Sequence, residues 1–119
     1  MASVREKLLR RYASGERSFR GEEMDVEALD LRGVNLSGAD FSECFIVADF
    51  GGANLEGCRF ERANVKTCDF RGANLHNASF VDAAIDGAKF DRVGIQGAVF
   101  EGASEQGHVY RDGAKPRAV

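Results

Sequence analysis

Residues 48–80 read ADFGGANLEGCRFERANVKTCDFRGANLHNASF, and their spacing decides the fold. Phe50, Phe60, Phe70 and Phe80 fall every ten residues, and the series continues through Phe90 and Phe100. Leu55, Val65, Leu75, Ile85 and Ile95 sit halfway between them, so a large apolar residue recurs every five positions from 50 to 100. Two places before each comes a small one: Ala48, Ala53, Cys58, Ala63, Cys68, Ala73, Ala78, Ala83, Ala88, Val93 and Ala98. The pattern runs upstream through Leu31, Leu36, Phe41 and Ile46, preceded by Leu29, Val34, Ala39 and Cys44. The two stretches join across a step of four, from Ile46 to Phe50, where either Phe45 or Ile46 faces inward.

A period of five suits neither simple element. A helix scatters residues five apart by ~140° around its axis, and a flat strand alternates them between faces. The chain therefore turns a corner once per five residues, and four corners close a coil of about twenty. Phe50, Phe70 and Phe90 then form one inward column, and Phe60, Phe80 and Phe100 the opposite one. Leu36, Leu55, Leu75 and Ile95 form a third, and Ile46, Val65 and Ile85 a fourth. With Phe41, these residues are the expected core ladders of a filled interior.

Gly-Ala-Asn-Leu at 52–55 and 72–75, Gly-Ala-Asp-Phe at 38–41 and Cys-Asp-Phe-Arg-Gly at 68–72 resemble the pentapeptide repeat family over residues 29–103. The resemblance implies an all-β solenoid, a right-handed quadrilateral β-helix of about four coils; the handedness comes from the resemblance alone. Family members include proteins that mimic a DNA duplex in shape and charge and bind DNA gyrase, some of them giving quinolone resistance.

Outward positions follow the same logic. Gly recurs two places after the centre at 33, 38, 52, 57, 72, 87, 97 and 102, where a corner asks for backbone angles that other residues resist. Asn35, Asn54 and Asn74 stack in one outward column and Asp30, Asp49 and Asp69 in another. The aspartates are expected to accept backbone N–H groups in their own turns.

Solenoid ends need covers. Ser3 caps an expected helix over 4–14, with Val4, Leu8, Leu9 and Tyr12 on its apolar stripe and Gly15 beyond its end. Residues 1–28 are thus an α-helical cap and transition, 29–104 the solenoid and 105–119 a tail. Phe19-Arg20-Gly21 imitates a repeat, but Met24 and Val26 do not keep step. After Phe100 the next centre would be Glu105, a charge in a core column. Either Val109 and Tyr110 fold back as a partial cap, or a second subunit covers the last coil in a homodimer joined through the C-terminal end.

Composition bounds the task. The chain has 119 residues, a net charge of −3 and 44% hydrophobic content, one soluble domain's worth, with no bias toward nucleic acid or a membrane as partner. No apolar leader and three cysteines, Cys44, Cys58 and Cys68, read as reduced buried thiols in a cytoplasmic protein. No catalytic, cofactor-binding or metal-binding set assembles: His76 and His108 lack a paired base, nucleophile or orienting carboxylate. What remains is surface, so the expected role is a non-catalytic interaction module for an unidentified protein partner. Its candidate face is the wall outside Phe60, Phe80 and Phe100, with Val81, Val99, Glu61, Asp82 and Glu101. That wall sets five acids against Arg59 and Arg62. This is far from the one charge per ~1.7 Å of duplex DNA, which disfavours gyrase mimicry as the alternative.

Overall fold

The computed structural model describes residues 2–117; Met1, Ala118 and Val119 lie outside the described residues, and with them the end of the expected tail. Helix α1 spans Val4–Ala13. Ser3 Oγ accepts the Glu6 N–H at 3.1 Å, and the Glu6 carboxylate reaches back to the Ser3 N–H. This reciprocal pair satisfies two of the orphan donors at the helix start. Arg10 and Arg11 complement the dipole at the other end. The helix stops one residue short of the sequence expectation, at Ser14, whose N–H bonds back to Arg10, and Gly15 turns the chain with φ at 102°. Leu8 is buried, and Val4, Leu9 and Tyr12 pack partly against the core. The Tyr12 hydroxyl donates to the Ser37 carbonyl at 2.7 Å.

Strand β1 (Glu23–Asp30) pairs in parallel with β2 (Phe45–Asp49). Beyond them, parallel bridges join Asn54 to Asn74, Arg59 to Ser79, Asn64 to Ala84, Asp69 to Lys89, Asn74 to Gly94 and Ser79 to Val99, each twenty residues apart. Most repeats are built the same way. The centre's carbonyl accepts the N–H three residues on, as from Ala53 to Phe50 at 2.9 Å. The centre's N–H donates to the next coil, as from Phe50 to the Asp69 carbonyl at 2.7 Å. The residue two after the centre has positive φ, the signature of a type II turn. Gly fills it at many corners, but Glu43, Arg62, Thr67, Asn77, Asp82 and Arg92 occupy it at others, with φ of 57–63°.

The interior is a set of ring stacks. Phe19, Phe41, Phe60, Phe80 and Phe100 form one, with successive centroids 5.4, 5.4, 4.8 and 4.8 Å apart. Phe50, Phe70 and Phe90 form another at 5.1 and 5.2 Å. Rings of the two stacks meet edge to face, as Phe70 and Phe80 do at 5.5 Å and 89°. The quadrupole of an aromatic ring favours both arrangements. Leu36, Leu55, Leu75 and Ile85 are fully buried, whereas Ile95, last in its column, is only partly so.

The columns start earlier than position 29. Ser18 bridges to Asp40, which sets buried Phe19 over Phe41, and Met24 pairs with Ile46. Residues read from sequence as a transition therefore occupy core columns; the separation of 22 residues in this first turn hides them. At the four-residue step Ile46 is buried and Phe45 is 42% exposed. Here β2 runs extended and Ala48 takes no left-handed turn. An extended residue advances about 3.3 Å, so four replace five and the coil is one residue short: Asn35 bridges to Asn54, Asp40 to Arg59 and Phe45 to Asn64.

At the other end β3 (Ser104–Glu105) and β4 (His108–Val109) form an antiparallel hairpin. Gln106 and Gly107 both have positive φ, the geometry of a two-residue hairpin turn that follows strand twist. Tyr110 returns to bond Ala103 and Gly102 through its backbone, and its ring lies 6.4 Å from Phe100. Glu105 does not enter the core as a bare charge; it accepts the Tyr110 hydroxyl at 2.9 Å.

Candidate interaction surface

Outside the columns, the wall geometry is set by Asx turns. Asp30, Asp49 and Asp69 each accept the N–H two residues on, at 3.2, 2.8 and 3.0 Å. Asn35, Asn54, Asn64 and Asn74 do the same. Among the described residues only the Asn54–Asn74 step adds an amide bond along the axis, at 3.3 Å. Arginines neutralise much of the acid. Arg71 binds Asp69 through two nitrogens, and Arg32 does the same to Asp30, holding that carboxyl down at about 2. Glu43 stands between Arg20 and Arg62 at 3.4 and 3.1 Å.

The five residues singled out from sequence lie on one wall, because Ser79 bridges to Val99 and Arg59 to Ser79. Val99 is 45% exposed and Val81 half-buried. Glu61 is half-buried and accepts the Ser79 hydroxyl at 2.8 Å. Glu101 is exposed. Asp82 holds a left-handed corner, and a Cβ at Gly102 would meet its Oδ1, so a larger residue there requires the exposed Asp82 side chain to turn away. Among the residues that sequence reasoning left out of this list, Val26 is 83% exposed. Its only sequence signal was that it broke step.

The three thiols lie inside, each donating to the carbonyl of a residue one coil earlier: Cys44 to Phe19, Cys58 to Leu36 and Cys68 to Ile46. Burial pushes them up, Cys44 to about 11 and Cys58 and Cys68 to about 12. They are poor nucleophiles and poor metal ligands in that state. No group of three or more His, Cys, Asp and Glu side chains among the described residues could hold a metal. His76 lies over Gly94, where a Cβ would strike its imidazole, and lines a polar crevice of about 230 Å³ with Glu56, Asn77 and Gln96. A wider crevice of about 340 Å³ opens where Pro116 and Arg117 approach Lys89, Phe90 and Tyr110.

The pentapeptide repeats family model matches eight copies over residues 48–78 and 68–104. The chain belongs to the pentapeptide repeat family. Family membership implies a right-handed β-helix. Among solved structures, a pentapeptide repeat protein from the Arabidopsis thaliana thylakoid lumen matches with a TM-score of 0.60 at 24% identity, over 73% of this chain and 63% of that one. This chain thus spans less than two thirds of that protein, and the likeness is one of fold. A pentapeptide repeat protein from Nostoc is 28% identical over 77% of this chain and 71% of its own, with a TM-score of 0.45. A plasmid-mediated fluoroquinolone resistance protein is 17% identical over 74% of this chain and 72% of its own, with a TM-score of 0.28. No curated protein matches.

Proposed function

We propose that this pentapeptide repeat protein is a non-catalytic scaffold for protein–protein contact, a solenoid of about four coils closed at its N-terminal end by α1 and only partly covered by Tyr110 at its C-terminal end, whose remaining edge is open to a second copy. The observation that carries the reading is the edge of the last coil. The N–H groups of Phe90, Ile95 and Phe100 and the carbonyls of Val93 and Ala98 find no backbone partner among the described residues. Ile95 is only partly buried beside them and Val99 is exposed. An open edge of this kind is a template for pairing. At the other end, Leu8 lies in the core cluster and the Arg11 guanidinium sits 4.7 Å from the Phe19 ring, which supports a closing role for α1. Three unpaired, carbonyl-bonded thiols fit a reducing, cytoplasmic setting.

Mass in solution tests the reading. A concentration-dependent dimer that Val99→Lys converts to monomer supports it; a monomer at every concentration contradicts the C-terminal contact. The gyrase alternative is tested separately. With Asp30, Asp69 and Glu43 paired to arginines, the walls offer no continuous anionic stripe, and purified protein is expected to leave gyrase supercoiling unchanged.

A further inference from the structure

The wall outside the Met24–Ile46 corner departs from the rest of the solenoid in three coincident ways. First, β1 sets four residues, 25–28, opposite the single residue Val47 of β2. All four are exposed, and Val26 is 83% so. A bulge interrupts the ladder and re-aims side chains, and this one buries nothing in return. Second, Phe45 projects outward from β2 at 42% exposure, where the next coils carry Asn64, Ala84 and Ser104 in the same register. Val47 points to the same side two residues further on. Third, Glu23, Asp25 and Glu27 alternate along the bulged strand, exposed and in no ion pair among the described residues. Lys7 shares a crevice with Glu23 without pairing to it, and Lys66 follows Val47 one coil on. Asp30, Asp69 and Glu43 hold arginines, and the other acids without an ion pair among the described residues, such as Glu56, Asp82, Asp91 and Glu101, lie outside this bulge.

We infer that Val26, Phe45 and Val47, rimmed by Glu23, Asp25 and Glu27, form a docking surface for a cationic, extended segment of another protein, one that alternates basic and apolar residues. The apolar side chains of that segment sit on Phe45, Val26 and Val47, and its lysines or arginines meet the unpaired carboxylates. Charge of this sign repels phosphate and selects basic partners, steering association more strongly at low salt. The inference rests on the interaction reading above but uses a surface at the opposite end from the dimer edge.

The probe is a fluorescein-labelled heptapeptide alternating Lys with Val and Phe, followed by anisotropy at low and high salt. The expected result is saturable one-to-one binding that weakens as salt rises. Phe45→Ser weakens it by about tenfold or more. The combined Glu23→Gln, Asp25→Asn and Glu27→Gln variant weakens it comparably and flattens its salt dependence. Val99→Ser leaves it unchanged. These side chains are exposed, and melting curves matching the wild type verify that the variants fold. Lack of saturable binding overturns the proposal, as does equal binding of a peptide with Glu in place of Lys, or wild-type affinity in the Phe45→Ser variant. If the patch variants instead abolish self-association, the occupant is a second copy and the proposal falls. If Val99→Lys breaks the dimer while the patch variants bind peptide like wild type, the interaction reading stands and this site does not.

Discussion

Phe60 and Phe80 stack with centroids 4.8 Å apart and planes 10° apart, and between successive rungs the edge of Phe70 enters at 5.8 and 5.5 Å. Two ring columns thus interlock across the axis, so Phe60, Phe70 and Phe80 are each held by rings above, below and across. Ring pairs of this kind contribute about 0.5–1.5 kcal/mol each beyond the area they bury, in addition to the backbone hydrogen bonds that join the coils.

Phe70→Ala removes a fully buried ring that touches Phe50, Phe60, Phe80 and Phe90. A loss of about 3–5 kcal/mol is expected by urea unfolding. A loss under about 1 kcal/mol would mean that the site collapses freely, which an interlocked column does not allow.

Ala73 is buried in the small-residue position between corners. Ala73→Leu adds volume where backbone and rings leave none, and is expected to cost about 1–3 kcal/mol. An unchanged melting temperature would count against close packing there.

Thr67 holds φ at 63°, a left-handed angle that a β-branched residue resists. Relief of about 1–2 kcal/mol of strain outweighs the added chain freedom of glycine, about 0.5–1 kcal/mol. Thr67→Gly is therefore expected to raise the melting temperature slightly, and Gly57→Thr, at φ 69°, to lower it clearly. The opposite ranking would show that the corners are not strained.

The buried thiols make stability pH-dependent at the alkaline end. Cys58 and Cys68 stay protonated in the fold up to about 12, while unfolded thiols ionise near about 8.5. Their contribution is complete below about 8.5 and is lost as pH rises toward 12, because the unfolded chain releases protons first. The limiting slope is about 1.4 kcal/mol per pH unit per thiol. Urea midpoints at neutral pH and near pH 10 check this: the wild type falls more steeply than a Cys58→Ala, Cys68→Ala variant. Parallel curves would contradict it. Tyr110, pushed up to about 12 by burial and by Glu105, acts in the same direction in both proteins.

The columns were legible from Phe50 to Phe100 because a corner every fifth residue leaves no freedom in which side chain points inward. Phe19 and Met24 were not, since the bulge at 25–28 lengthens the first turn and destroys the period locally. The choice between Phe45 and Ile46 stayed open for a related reason: a step of four fits either register, and only the extended path of β2 decides for Ile46. The left-handed corners at Asn77, Asp82 and Arg92 carry no sequence mark, because the turn imposes the angle on whatever residue stands there. Of the surface, the wall shared by Val81 and Val99 followed from the period, whereas the patch around Val26 depends on the irregularity that the period cannot express.

The most direct measurement of the central claim, a coil closing every twenty residues, is disulfide cross-linking of paired cysteines placed on the walls. Asn54 and Asn74 bridge in adjacent coils, and Asn54 and Asn64 belong to different ladders. On mild oxidation Asn54→Cys with Asn74→Cys is expected to cross-link within the monomer, because bridged Cα positions lie in the range about 4.4–6.8 Å that a disulfide spans, and Asn54→Cys with Asn64→Cys is not. A cross-link at 54–64 with none at 54–74 would contradict the fold.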